Sequence, residues 1–289
     1  MIKKIFSFTL ILNLLIFSCS SDSDDNSSEV WEQKSEMLTN WADNFIIPSY
    51  TTLTNNLVLL EESGNTFASS RNQQNLENLR NSFINAYLSW QYVEMFDIGL
   101  AEETYYKSKM NIYPTTVSRI ELNIQNGNVD FNNSNNYAAQ GFPALDYLLY
   151  GIENSDELIL SKFNNEPQYL IYLSNVINQM LQNTYPIVED WQNYRNPFIG
   201  SVRNTATSSV NKMTNDFIYY YEKGFRANKF GIPAGVFSGG ALPEKVEAFY
   251  NQNISKALAL EGFQAIKNFY NGNGGVSLRQ YISEVSTEE

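Results

Sequence analysis

Apolar residues recur at spacings of three and four through almost the whole of this chain, and that period confines it to helices. From Trp31 to Leu60 the stripe is Leu38, Trp41, Phe45, Leu53, Leu57 and Leu60, with Pro48 as the expected kink or break. Leu76, Leu79, Phe83, Tyr87, Trp90, Val93 and Phe96 form a second stripe. A short helix is expected within Ile112 to Ile124, after Pro114. Another runs from Pro143 to Tyr150, where proline near the first turn costs no hydrogen bond. Pro167 opens a longer one carrying Tyr169, Leu170, Leu173, Ile177 and Leu181, with Pro186 as a kink before Trp191. Val210, Met213, Phe217, Tyr220 and Tyr221 mark the next, and Glu244 to Tyr270 is the last strong helix. Gln125 to Gln140, Asn-rich around Gly127, reads as a surface loop. No stretch alternates with period two. The expectation is an all-α chain of antiparallel helices in two bundles, the first at about 31–160 and the second at about 165–285. An amphipathic segment from Val276 to Val285 stands almost at the end, so either the second bundle is small or the sequence is a truncated fragment.

The N-terminus carries a different pattern. Met1-Ile2-Lys3-Lys4 precedes an apolar run from Ile5 to Phe17, too short to span a bilayer, which takes roughly 20 residues. A basic start and a short apolar core mark a cleaved secretory signal. The run ends in Leu15-Ile16-Phe17-Ser18-Cys19, and a small residue directly before a cysteine there resembles the bacterial lipobox. Residues 1–18 therefore read as a lipoprotein signal peptide and Cys19 as its lipidation site. Cys19 is the only cysteine, so an exported chain gains no disulfide within itself. Several acyl chains on Cys19 would hold the protein to a membrane, each buried CH2 contributing roughly 0.8 kcal/mol. Residues 19–30 are polar and acidic and read as a flexible tether. An acidic run in this place also resembles a surface-export signal, and a plain spacer is the alternative. The expected location is the cell envelope, lipid-anchored at the outer membrane, on its periplasmic or surface face.

Charge and one missing residue type narrow the chemistry. The net charge is −12, and it becomes more negative once Lys3 and Lys4 leave with the signal. A body this acidic excludes nucleic acid as a partner and does not suit an anionic lipid surface. Histidine is absent. Ser-His-Asp and Cys-His nucleophilic machinery cannot be built, nor the usual His-bearing zinc, haem or non-haem iron sites. Any metal would need carboxylates, backbone carbonyls or tyrosinates. The 19 Tyr and 18 Phe lie mostly on the helical stripes, where packing accounts for them.

Three stretches stand out. The first runs from Ala86 to Gly99 through Trp90, Glu94 and Asp97, and continues in Asn111-Ile112-Tyr113-Pro114 and Arg119-Ile120-Glu121. The second is Gly141-Phe142-Pro143-Ala144-Leu145-Asp146-Tyr147-Leu148-Leu149-Tyr150-Gly151. The third is Lys229-Phe230-Gly231-Ile232-Pro233-Ala234-Gly235. Together, in this order and spacing, they resemble the imelysin-like family of bacterial envelope proteins, over most of residues 33–285. The resemblance implies two related helical bundles with a site near their junction. Members were classed as metallopeptidases and are linked to iron uptake, so iron is the metal the resemblance implies. The second stretch is similar to the family's GxHxxE segment, in which a His and a Glu three apart share one helix face and a metal. Here the His position is Pro143, which has no ligating group, and the Glu position is Asp146. That departure argues against peptidase activity and leaves Asp146 and Glu94 as the metal-ligand candidates.

The candidate binding residues are thus Trp90, Glu94, Asp97, Tyr113, Arg119, Asp146, Gly231, Pro233 and Gly235. They line a polar pocket together with Glu121, or they serve the fold. In the second case Asp146 is favoured by the helix dipole by about 0.3–1 kcal/mol, Arg119 pairs with a carboxylate, and the glycines take positive φ. Three functions are compatible with these residues. The first is a non-catalytic lipoprotein that binds a small ligand, a metal or a protein partner and serves iron or nutrient uptake. The second is a carboxylate-based, metal-dependent peptidase or hydrolase. The third is a structural or adhesion protein, marked by a large exposed aromatic patch.

Overall fold

The computed structural model describes residues 24–286, with side chains from residue 32 onward. The signal peptide, Cys19 and the start of the tether lie outside the described residues. Among the described residues every regular element is helical, as the three-and-four spacing requires. The α-helices are α1 (Asp24–Trp41), α2 (Ile47–Ser69), α3 (Gln73–Trp90), α4 (Leu100–Glu103), α5 (Tyr106–Met110) and α6 (Val117–Asn126). They are followed by α7 (Gly141–Tyr150), α8 (Asp156–Asn165), α9 (Pro167–Gly200), α10 (Ser209–Tyr219), α11 (Ser255–Asn271) and α12 (Leu278–Val285). None of them is long and apolar enough to cross a membrane.

Local chemistry sets most ends. Asn72, Ser155, Ser208 and Ser277 each accept a backbone N–H at the start of α3, α8, α10 and α12. Gly127 and Gly272 close α6 and α11 with positive φ. Packing then places the helices. α2 and α3, joined by a short turn, lie side by side, and α9 runs along α2, α1 and α7. α11 packs on α12 and on the π-helix that extends α10 through Tyr220–Gly231, and it reaches α3. The Trp41 ring stacks on Phe269 at 4.7 Å, tying α1 to α11. One continuous cluster of buried apolar side chains runs through all of these elements.

The structure corrects several expectations. α1 begins at Asp24, inside the stretch expected to be a flexible tether. Acidic residues at a helix start sit at the positive end of its dipole, so Asp24 and Asp25 favour this. Pro48 does not break the chain. A π-helical turn, Ala42–Ile46, shifts the hydrogen-bond register immediately before it, and α2 continues. α9 likewise runs unbroken through Pro186 and Pro197. The surface loop expected over 125–140 ends buried: the Gln140 amide donates to the Phe131 carbonyl at 2.7 Å, and the Tyr172 hydroxyl donates to the Ala139 carbonyl at 2.6 Å. The last strong helix is shorter than its apolar pattern. Only Ser255–Asn271 is α-helical, while 246–254 is irregular because its backbone and Glu247 are drawn to partners elsewhere.

Candidate ligand-binding site

The irregular segment 246–254 is held by two buried carboxylates. Asp146, on the second turn of α7, accepts the backbone N–H of Tyr250 on Oδ2 at 2.8 Å and that of Asn251 on Oδ1 at 2.9 Å. Burial pushes the Asp146 carboxyl up to about 7, with the two N–H groups pulling it down and Glu247 raising it. The second carboxylate is Glu247. It meets the Lys229 ammonium at 2.5 Å, and Lys229 also lies 3.3 Å from Glu94 and donates to Gln91 Oε1 at 2.7 Å. The Asn111 amide bridges the two carboxylates, donating to Glu94 at 3.1 Å and to Glu247 at 2.8 Å. Its own oxygen accepts the Tyr87 hydroxyl at 2.8 Å. Burial works against the charge on Lys229, yet Glu247 and Glu94 outweigh it and hold the ammonium above its usual range. Ala248, between the two anchored stretches, is pinned at φ 56°.

These anchors shape a cavity of about 280 Å3. Tyr113, Pro114, Thr115, Pro143 and Asp146 form one wall, and Glu244, Lys245, Val246, Ala248, Phe249 and Tyr250 the other. Gly141 takes φ 72°, and a Cβ there would stand 2.2 Å from the Met110 carbonyl oxygen. The Tyr113 hydroxyl is buried without a hydrogen-bond partner, as are Tyr220 OH and Glu94 Oε2. Burial, with Glu247 and Glu94 nearby, pushes both phenols well above their usual range, so they are donors. The Lys245 side chain on the opposite wall forms no ion pair with a described residue.

The candidate residues do not come together in one place. Tyr113, Asp146 and the degenerate position Pro143 line the cavity, and Glu94 lies behind it in the Lys229 cluster. Trp90 is fully buried and packs against Tyr106 and Phe142, so it is core. Asp97 lies elsewhere, beside Lys107 and Glu102, and is raised by burial. Arg119 forms no ion pair with a described residue, contrary to the expected pairing with a carboxylate, and Glu121 accepts the hydroxyls of Tyr147 and Tyr169. Gly231, Pro233 and Gly235 do not line this cavity. Their glycines serve the loop: a Cβ on Gly231 would meet the Phe237 ring at 2.8 Å, and one on Gly235, at φ 78°, the Gly240 carbonyl oxygen at 2.0 Å. Sequence reasoning missed Gln91, Asn111, Lys245, Glu247, Phe249 and Tyr250, and it quoted Lys229 without assigning it a role. A lysine inside an otherwise apolar helix face was the one available signal.

A metal does not fit these residues. Both oxygens of Asp146 are consumed by backbone donors, Pro143 offers no lone pair, and Glu94 is committed to Lys229 and Asn111. Among the described residues no three acidic side chains gather as ligands. Asp146 and Glu94, the two metal-ligand candidates, are instead engaged by separate partners in this structure.

An all-helical chain with this cleft between α7 and an irregular pre-helical segment can be placed by comparison with known proteins. The family profile described as Imelysin matches residues 46–288, and the chain belongs to that family. Two solved structures share its fold. One is described as a putative iron-regulated protein A precursor from Parabacteroides distasonis, with TM-score 0.71 and 17% identity over 86% of this chain and 78% of that one. The other is an imelysin-like protein from Psychrobacter arcticum, with TM-score 0.64 and 18% identity over 82% of this chain and 74% of that one. No curated protein matches the sequence.

Proposed function

We propose that this chain is a lipid-anchored binding protein of the cell envelope that holds a small organic ligand in the cavity between Tyr113 and Tyr250 and performs no peptidase chemistry. The observation that carries this is the use of Asp146. The motif carboxylate is spent on two backbone donors as a strut for the cavity wall, and the motif histidine is Pro143. What the cavity wall offers a guest is the Lys245 ammonium, the Glu244 carboxylate and the rings of Tyr113, Phe249 and Tyr250, a set that holds a ligand by charge and stacking. The description of one structural neighbour as iron-regulated supports a ligand connected with iron or nutrient supply. Cys19 and the acidic residues after it support attachment at the outer membrane.

The test is native mass spectrometry on protein extracted from membranes, with metals measured on the same sample. A bound small molecule that disappears in Lys245→Ala is the expected result. Stoichiometric iron, zinc or calcium that disappears in Asp146→Ala would overturn the reading and restore a metal-dependent one.

A further inference from the structure

One face of α11 is exposed and amphipathic in an unusual sense. Lys256, Leu260, Phe263 and Lys267 follow at spacings of four, three and four, so they share a stripe. Leu260 is 58% exposed and Phe263 43%. The neighbouring π-helix extends the stripe sideways. Phe225 stacks on Phe263 at 5.8 Å and meets Phe230 edge-on at 5.2 Å. The Phe237 ring, 64% exposed, covers Gly231 at the end of that helix. The result is a continuous apolar ridge over two elements, larger than the singly scattered apolar residues normal on a protein surface.

The ridge is collared by cations. Lys223, Arg226, Lys256 and Lys267 are exposed along the two elements, whose only carboxylates are Glu222 and Glu261. Glu222 is paired with Arg226 at 2.6 Å, and Glu261 accepts the Tyr92 hydroxyl. Among the described residues Lys223 and Lys256 have no acidic partner, and Lys267 lies over the Phe263 ring at 5.0 Å. This is a local reversal on a chain of net charge −12. Screening beyond roughly 8–10 Å keeps the acidic remainder from cancelling it. Aromatic rings at headgroup depth with lysine stems reaching up to phosphates are what a bilayer interface selects.

We infer that this face rests on the headgroup layer of an anionic phospholipid membrane. The inference builds on the anchored reading above. Cys19 precedes α1 by five residues, a reach of at most about 18 Å, so an anchored body stays beside its bilayer. The face then fixes how the cavity is presented.

The full-length exported protein is placed in phospholipid nanodiscs, and hydrogen exchange is read over 225–237. Exchange is expected to be roughly tenfold slower on phosphatidylglycerol discs than on phosphatidylcholine discs. Lys256→Glu combined with Lys267→Glu, both on the surface, should erase the difference while leaving the circular dichroism unchanged. Equal exchange on both lipids, or a difference that survives the double reversal, overturns the inference. Failure to enter discs at all would instead sink the anchor. The same comparison with free vesicles then decides the face by the same criteria.

Discussion

The Lys229 cluster and the cavity beside it share the segment 246–251 as a wall, yet they treat polar groups in opposite ways. In the cluster, two carboxylates, an ammonium and two amides are sealed from water and spent on one another. At the cavity, the Glu244 carboxylate and the Lys245 ammonium have no ion pair among the described residues. A buried ion pair returns little net stability, because desolvation offsets its attraction, but it punishes the loss of either member. The cluster therefore fixes where Glu247 stands, and with Asp146 it sets the walls. The cavity groups cost the fold little and are left for a guest.

The largest effect should come from breaking the cluster. Lys229→Met strands two buried carboxylates and should cost roughly 3–5 kcal/mol in urea unfolding. A loss below about 1 kcal/mol would show that water reaches the cluster and that it is no scaffold. Asp146→Ala comes next, at about 1–3 kcal/mol for each backbone donor left unsatisfied, with increased protease cutting within 246–254. If instead ligand loss came without any loss of stability, Asp146 would belong to the cavity and not to the frame.

Acidity tests the same residue. The folded-state pKa of Asp146 is raised by burial from 3.8 to about 7. The folded form therefore binds the proton more tightly than the unfolded chain. The stabilisation is complete below about pH 4 and is lost as the pH rises through about 7. Asp216, also raised to about 7 by burial and by Asp97, acts in the same direction. The urea midpoint should fall between about pH 5 and about pH 8, and Asp146→Asn should flatten that slope without abolishing it. An unchanged slope would place the titration on Asp216 alone. The smallest effects belong to the cavity. Glu244→Gln and Lys245→Ala should each change stability by less than about 0.5 kcal/mol while removing the bound molecule. A large destabilisation by either would erase the contrast between the two regions.

The parts of the fold that could be read in advance were those governed by local rules. The stripe from Leu76 to Trp90 became α3, capped by Asn72, and Ser277 with Gln280 opened α12 as a capping box. Errors came where a long-range partner overrode the local pattern. Val246, Phe249 and Ile254 keep helical spacing, yet Asp146 takes the backbone donors of Tyr250 and Asn251, and Lys229 takes Glu247. At the site, Tyr113 and Asp146 were singled out through the family resemblance, whereas Gln91, Asn111 and Glu247 look like any polar residues until α3, the 111–113 turn and the π-helix meet.

By itself the sequence determined that the chain is helical, that it has no histidine for metal or nucleophile, that its one cysteine follows an apolar N-terminal run, and that proline stands where the family resemblance calls for the motif histidine. Each of these is a property of residue identity or of spacing within a few turns. Only the tertiary structure decided that Asp146 is a strut, that Arg119 stands without an ion pair, and that Lys229 sits between two carboxylates. Hydrogen bonds and charge pairs form between whichever groups packing brings within about 3 Å, and partners more than a hundred residues apart leave no local trace.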